Sequence, residues 1–152
     1  MKILRKILLA LLVVFVLIQF YRPEKNEAPY RDVASFEADT KPTPEIKTIL
    51  ENKCYDCHSN KTEYPWYSEI APMSYIIADH VEEGNEHFNV SAWDSYDTKK
   101  RDHKLDELIE EVEEGEMPEK GYQLLHGGFS EEEKEALIAW TRKVREQYQV
   151  SN

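Results

Sequence analysis

Cysteine is scarce in this chain. Two occur among 152 residues, at positions 54 and 57. A disulfide across so short a gap would be strained. No cysteine stands near the N-terminus to carry a lipoprotein anchor. Strict apolar–polar alternation is missing too, so no strand is predicted and the fold class is all-α. Internal repeats and low-complexity tracts are absent. Basic residues are in deficit: 19 Lys and Arg stand against 30 Asp and Glu, a formal charge of -11. Setting aside Lys2, Arg5, Lys6 and Arg22 of the N-terminal segment leaves 15 against 30, a net of -15. Such a surface repels phosphates, which excludes nucleic acid as a partner. It suits basic docking partners or serves solubility.

What apolar character there is lies largely in the first twenty residues. Lys2, Arg5 and Lys6 precede an apolar run over residues 7–18. A positive n-region before such a run has the form of an export signal. No small-x-small cleavage site follows, because the run ends in Gln19-Phe20-Tyr21-Arg22-Pro23. Residues 1–21 are therefore read as an N-terminal transmembrane or signal helix. An uncleaved anchor is preferred over a removed signal peptide, which would leave the protein soluble in the periplasm. The basic end stays in the cytoplasm, so the remainder faces outward. Residues 22–42, punctuated by Pro23, Pro29 and Pro42, read as a flexible tether. Residues 43–152 form the folded domain.

Both cysteines fall in Cys54-Tyr55-Asp56-Cys57-His58, a C-x-x-C-H motif. This is the pattern of covalent c-type haem attachment. Two intervening residues let both sulfurs reach the two porphyrin vinyl groups from one turn of backbone. The adjacent histidine then falls under the iron as proximal base. A thioredoxin-like dithiol would need a preceding strand, and none is predicted. Zinc would need a fourth ligand beyond Cys54, Cys57 and His58. Attachment of this kind is completed outside the cytoplasm, in agreement with the N-terminal segment.

Helical periodicity organises the rest. Thr43 caps a helix with Pro44 at its first position and Ile46, Ile49 and Leu50 on one face. That helix delivers the motif at its C-terminal end. A second helix is predicted from residue 72 or 74 to residue 83, stopped by Gly84, with His80 beside Ile76, Ile77 and Val81. A third is predicted over residues 102–114, stopped by Gly115. A fourth begins at Ser130, which forms a capping box with Glu133. Leu137, Ile138, Trp140, Thr141 and Val144 supply its buried stripe.

A second axial ligand has several candidates: Met73, His80, His87, His103, Met117 and His126. Met117 is preferred. It lies in Gly115-Glu116-Met117-Pro118, between two helices, where proline constrains the neighbouring backbone. A thioether ligand would favour reduced iron relative to a second histidine. His80 and His126 stay open as alternatives. The order of N-terminal helix, C-x-x-C-H, Met-Pro loop and C-terminal helix resembles small soluble cytochromes c, in which that methionine is the distal ligand.

Further stretches resemble the haem-binding domain family of small bacterial proteins. They are Cys54 to Ser59, Tyr64-Pro65-Trp66-Tyr67, Ile70-Ala71-Pro72, His80-Val81-Glu82-Glu83-Gly84, Phe88-Asn89-Val90-Ser91-Ala92-Trp93 and Gly115-Glu116-Met117-Pro118, with Tyr122 and His126. The likeness spans residues 43–145. Asn85 and Val90 depart from the family pattern. The resemblance implies haem binding, without fixing a physiological reaction.

The sequence thus predicts a small cytochrome c-like helical domain wrapped around one covalent haem c. Cys54, Cys57, His58 and Met117 hold the cofactor, and His58 and Met117 ligate the metal. The expected function is single-electron transfer between redox proteins on the periplasmic side of the inner membrane, without enzymatic activity. The alternative is a haem sensor, small-ligand binder or weak peroxidase with an open distal site.

Overall fold

Eight α-helices and two short 3-10 helices follow one another through residues 2–149, the part of the chain that the computed structural model describes. The outer limits of segments 1–21 and 43–152 lie outside the described residues. The helices are α1 (Lys2–Ile18), α2 (Ala34–Thr40), α3 (Pro44–Lys53), α4 (Tyr55–His58), α5 (Met73–His87), α6 (Thr98–Glu114), α7 (Lys120–His126) and α8 (Glu131–Gln149). The 3-10 helices are Trp66–Glu69 and Val90–Ser95. An isolated antiparallel bridge joins Glu27 to Lys61. The all-α expectation is met.

Local chemistry explains the helix limits. The Thr43 side chain accepts from the Ile46 amide at 3.3 Å, with Pro44 at the first helical position. Ser130 and Glu133 form the capping box in both directions, at 2.8 and 3.1 Å. Three glutamates in the first turn of α8 complement its dipole. Helix α6 starts earlier than periodicity predicts, because Asp97 caps it through the Lys100 amide at 2.7 Å. Its first turns carry no apolar residue that would have marked them. Gly115 ends it in the left-handed conformation, φ 77°. Helix α5 does not stop at Gly84 but runs on to His87. Gly84 is buried there as a packing residue.

Helix α8 packs chiefly along α6 and also touches α3, while α4 packs on α5. Between them Phe36, Tyr55, Trp93, Leu105 and Leu137 are completely buried. Burying each such side chain contributes about 1.5–3 kcal/mol. Phe36 is the hub: its ring meets Trp93 edge-on at 5.0 Å, Phe88 at 6.2 Å, Trp140 at 6.3 Å and Tyr55 at 6.5 Å.

Phe36 lies in the stretch 22–42 that reads as a tether in sequence. The structure corrects that reading. This stretch carries α2 and places an aromatic ring at the centre of the core. Asp39 of α2 also accepts from Trp93 Nε1 at 2.8 Å, Arg101 Nη1 at 2.9 Å and the Tyr148 hydroxyl at 2.7 Å. Burial pushes this carboxyl up, but the hydrogen bonds from Tyr148 and Trp93 and the Arg101 charge outweigh it and hold it below the ordinary range.

Helix α1 buries no residue. Its 17 residues span about 25 Å, short of a hydrocarbon core of about 30 Å. Among the described residues no helix is long and apolar enough to cross a membrane. The helix expected in the N-terminal segment is present as α1, with Lys2, Arg5 and Lys6 in its first turns and its end at Ile18.

Candidate functional site

Helix α3 ends at Lys53 and hands its last turn directly to the C-x-x-C-H motif. The Cys54 amide donates to Leu50 O at 3.0 Å, and the Cys57 and His58 amides donate to Cys54 O at 3.2 and 2.9 Å. One turn of backbone therefore carries both thiols and the imidazole. The two intervening residues are not spacers. Tyr55 is fully buried against Phe36. Asp56 receives Arg31 Nη2 at 2.5 Å and the Glu63 amide at 3.2 Å, which closes the loop behind the motif. Buried Ser59 donates to Tyr55 O at 2.5 Å.

Both cysteines are free thiols. Burial pushes Cys54 up to about 12, and the neighbouring Cys57 adds to the effect. Burial pushes Cys57 up to about 11, helped by Asp56 and Glu119. Neither group is a thiolate near neutral pH, whereas dithiol exchange proceeds through one. The described residues also bring together no cluster of three or more His, Cys, Asp or Glu side chains able to hold a metal ion.

His58 Nδ1 lies 2.9 Å from Gly84 O and 2.8 Å from Phe88 O. Both partners are carbonyls, so Nδ1 must carry the hydrogen and donate. In the neutral ring the lone pair is then on Nε2. Burial holds this imidazole below the ordinary histidine range, with the two backbone hydrogen bonds opposing it. A histidine with its outer nitrogen tied to carbonyls and its other nitrogen basic is arranged as a metal ligand.

Gly84 makes this arrangement possible. A Cβ at that position would stand 2.8 Å from Cys57 O and 3.2 Å from Cys57 Cβ. Only glycine lets α5 lie directly on the motif. The sequence reading treated Gly84 as a stop signal and missed this contact.

The structure places the distal candidates in several settings. Met117 lies on the loop between α6 and α7 with a partly exposed side chain, and its amide donates to Glu111 O at 3.1 Å. The residues after it return towards the motif. Glu119 caps α7 through the Gly121 amide at 2.6 Å and lies 3.8 Å from His80 Nδ1. Tyr122 donates to Asn52 O at 2.7 Å. Burial pushes the Tyr122 phenol up to about 12, with Asp56 and both cysteines contributing. His126 stacks on Tyr122 at 4.4 Å and hydrogen-bonds the Tyr67 hydroxyl. His103 pairs with Glu107 at 3.1 Å on the outer face of α6, away from any such role. Met73 opens α5 and His87 closes it. Sequence reasoning missed Glu119, whose only signal is its position before a short helix.

Several apolar side chains stand uncovered on the first 3-10 helix and on α7. Trp66 is 78% exposed, Leu124 86% and Leu125 55%. Tyr67, next to Trp66, meets His126, next to Leu125. A model of the haem-binding domain matches residues 13–143. The chain belongs to the haem-binding domain family. No match is found among curated proteins or among solved structures. Haem binding follows from that membership. The residues present fit the group: two unpaired thiols, a neutral imidazole with a basic Nε2, and a glycine that keeps a side chain out of the junction. The family match begins inside α1 and takes in α2, so the segment after α1 belongs to the haem-binding domain.

Proposed function

We propose that this haem-binding domain is a monohaem c-type cytochrome that transfers single electrons on the periplasmic side of the membrane, with no enzymatic activity of its own. The observation that carries the reading is the single turn holding Cys54, Cys57 and His58, with His58 Nδ1–H donated to Gly84 O and Phe88 O. Each thiol would add across one vinyl group. The S–H bond breaks, an S–C bond forms, and the hydrogen passes to the adjacent vinyl carbon with no leaving group.

His58 would be the proximal ligand and Met117 the distal one. The bound haem supplies an iron centre that changes charge by one electron. The protein's part is to fix the imidazole tautomer, shield the iron-facing side with apolar groups and present an acidic surface that orients basic redox partners. Helix α1 directs export and stays associated with the membrane, which keeps the domain at the compartment where attachment is completed.

A second reading has its own support. Met117 is partly exposed, and His80 lies beside the Glu119 carboxylate, 3.8 Å away. An easily vacated distal position next to such a pair would suit a haem sensor or small-ligand binder. Optical spectra of the reduced, matured protein with and without carbon monoxide separate the two. Indifference to the gas supports electron transfer; rapid binding supports the sensor.

A further inference from the structure

Immediately after α1 the chain is fastened to the haem-binding domain without slack. The Gln19 side-chain amide makes two reciprocal bonds to Ala71: Nε2 donates to Ala71 O at 3.1 Å, and the Ala71 amide donates to Oε1 at 3.0 Å. The Tyr75 hydroxyl donates to Ile18 O, one of the last carbonyls of α1. Tyr21 packs on Tyr75 with ring centroids 5.7 Å apart. Arg22 donates to Glu69 O, and Lys25 pairs with the Glu69 carboxylate at 2.5 Å. The next residues are sewn to the loop behind the C-x-x-C-H turn: Asn26 Nδ2 donates to Ser59 O at 2.8 Å, the Thr62 amide to Asn26 O at 3.0 Å and the Ala28 amide to Asn60 O at 3.2 Å.

These bonds begin at Ile18, the last residue of α1, and continue at Gln19 directly after it. An apolar helix seated in lipid therefore brings Ala71 and its neighbours to the lipid surface with it. Those neighbours are dressed for that place. Phe20 is 81% exposed and Tyr21 68%. Trp66 stands on the same side of its 3-10 helix as Glu69, because residues three apart eclipse there. Aromatic side chains of this kind favour the membrane–water interface.

We infer that residues 18–28 are a rigid clasp, retained in the mature protein, that lays the domain on the bilayer through an aromatic face of Phe20, Tyr21 and Trp66. The occupant of that face is lipid. The inference rests on the membrane reading of α1 and goes beyond it by fixing which face of the domain meets the membrane.

The test is lipid photo-crosslinking on the full chain, matured with haem, in vesicles of phosphatidylethanolamine and phosphatidylglycerol carrying a headgroup-level photoreactive lipid. Mass spectrometry maps the adducts, and a haemochrome assay reports haem content separately. The expected result is adducts on Phe20 or Tyr21 and on Trp66. The paired changes Gln19→Ala and Tyr75→Phe should lower the Trp66 adducts several-fold while leaving those on α1 unchanged. Adducts confined to α1, or Trp66 adducts that survive the paired changes, overturn the clasp while leaving the anchor in place. No adducts anywhere, or a mature chain beginning beyond Gln19, overturns both the clasp and the anchor. Haem content is unaffected in each case, so loss of haem would count against the cytochrome reading alone.

Discussion

Replacing Gly84 by valine strikes the closest contact in the site. The first added carbon would stand 2.8 Å from a backbone oxygen, Cys57 O, and 3.3 Å from the carbonyl carbon. Carbon–oxygen approaches of this kind ordinarily settle near 3.3–3.6 Å, so α5 must retreat by about 0.5 Å or more. Retreat also stretches the His58 hydrogen bonds to Gly84 O and Phe88 O, now 2.9 and 2.8 Å. Overpacking of this type costs about 1–3 kcal/mol, and valine's better helix propensity returns only a few tenths. A net loss of about 2 kcal/mol lowers the melting temperature of a domain this size by roughly 8 °C. Circular dichroism melts of the matured protein, with covalent haem measured alongside, should rank wild type above Gly84→Ala above Gly84→Val. Haem yield should fall in the same order. A Gly84→Val protein that melts within about 2 °C of wild type with full haem attachment would refute the close-packing role.

Asp39→Asn should cost about 2 kcal/mol at neutral pH, because the Arg101 pair is lost and the bonds from Trp93 and Tyr148 are weakened. The native carboxyl lies below its ordinary value, so its stabilisation is complete above the unfolded pKa of about 3.9 and disappears as pH falls through the lower native value. Melts of both proteins between neutral pH and pH ~2 should therefore converge at the acid end; a constant gap would contradict this. Met117→Ala should abolish the weak far-red sulfur-to-iron band of the oxidised protein, whereas His80→Ala should keep it. Survival of the band in Met117→Ala removes Met117 as the ligand. Ser130→Ala should cost about 1 kcal/mol through loss of the cap on α8, read from a urea titration, without changing the haem spectrum.

The parts of the fold legible in sequence are those with a local signature. Thr43-Pro44 and Ser130 with Glu133 announce helix starts through backbone capping, and both caps are made. The C-x-x-C-H turn is equally local. What stays hidden depends on distant partners. Phe36 stands alone in a polar stretch with no periodicity around it, and only its contacts with Trp93, Phe88, Tyr55 and Trp140 make it central. Gly84 has the appearance of a helix stop, and only Cys57 across the junction shows why glycine is required. The same holds for the tautomer of His58, which is fixed by carbonyls 26 and 30 residues away in sequence. Gln19 reads as the frayed end of an apolar run, yet it grips Ala71, 52 residues on.

Covalent attachment is measured most directly by the intact mass of the full chain made with c-type maturation machinery, after acid–acetone extraction and denaturation. The predicted result is a polypeptide heavier by one haem, with the increment lost in a Cys54→Ser, Cys57→Ser double variant. A mass equal to that of the amino acids alone would contradict thioether attachment, and with it the roles proposed for Cys54 and Cys57.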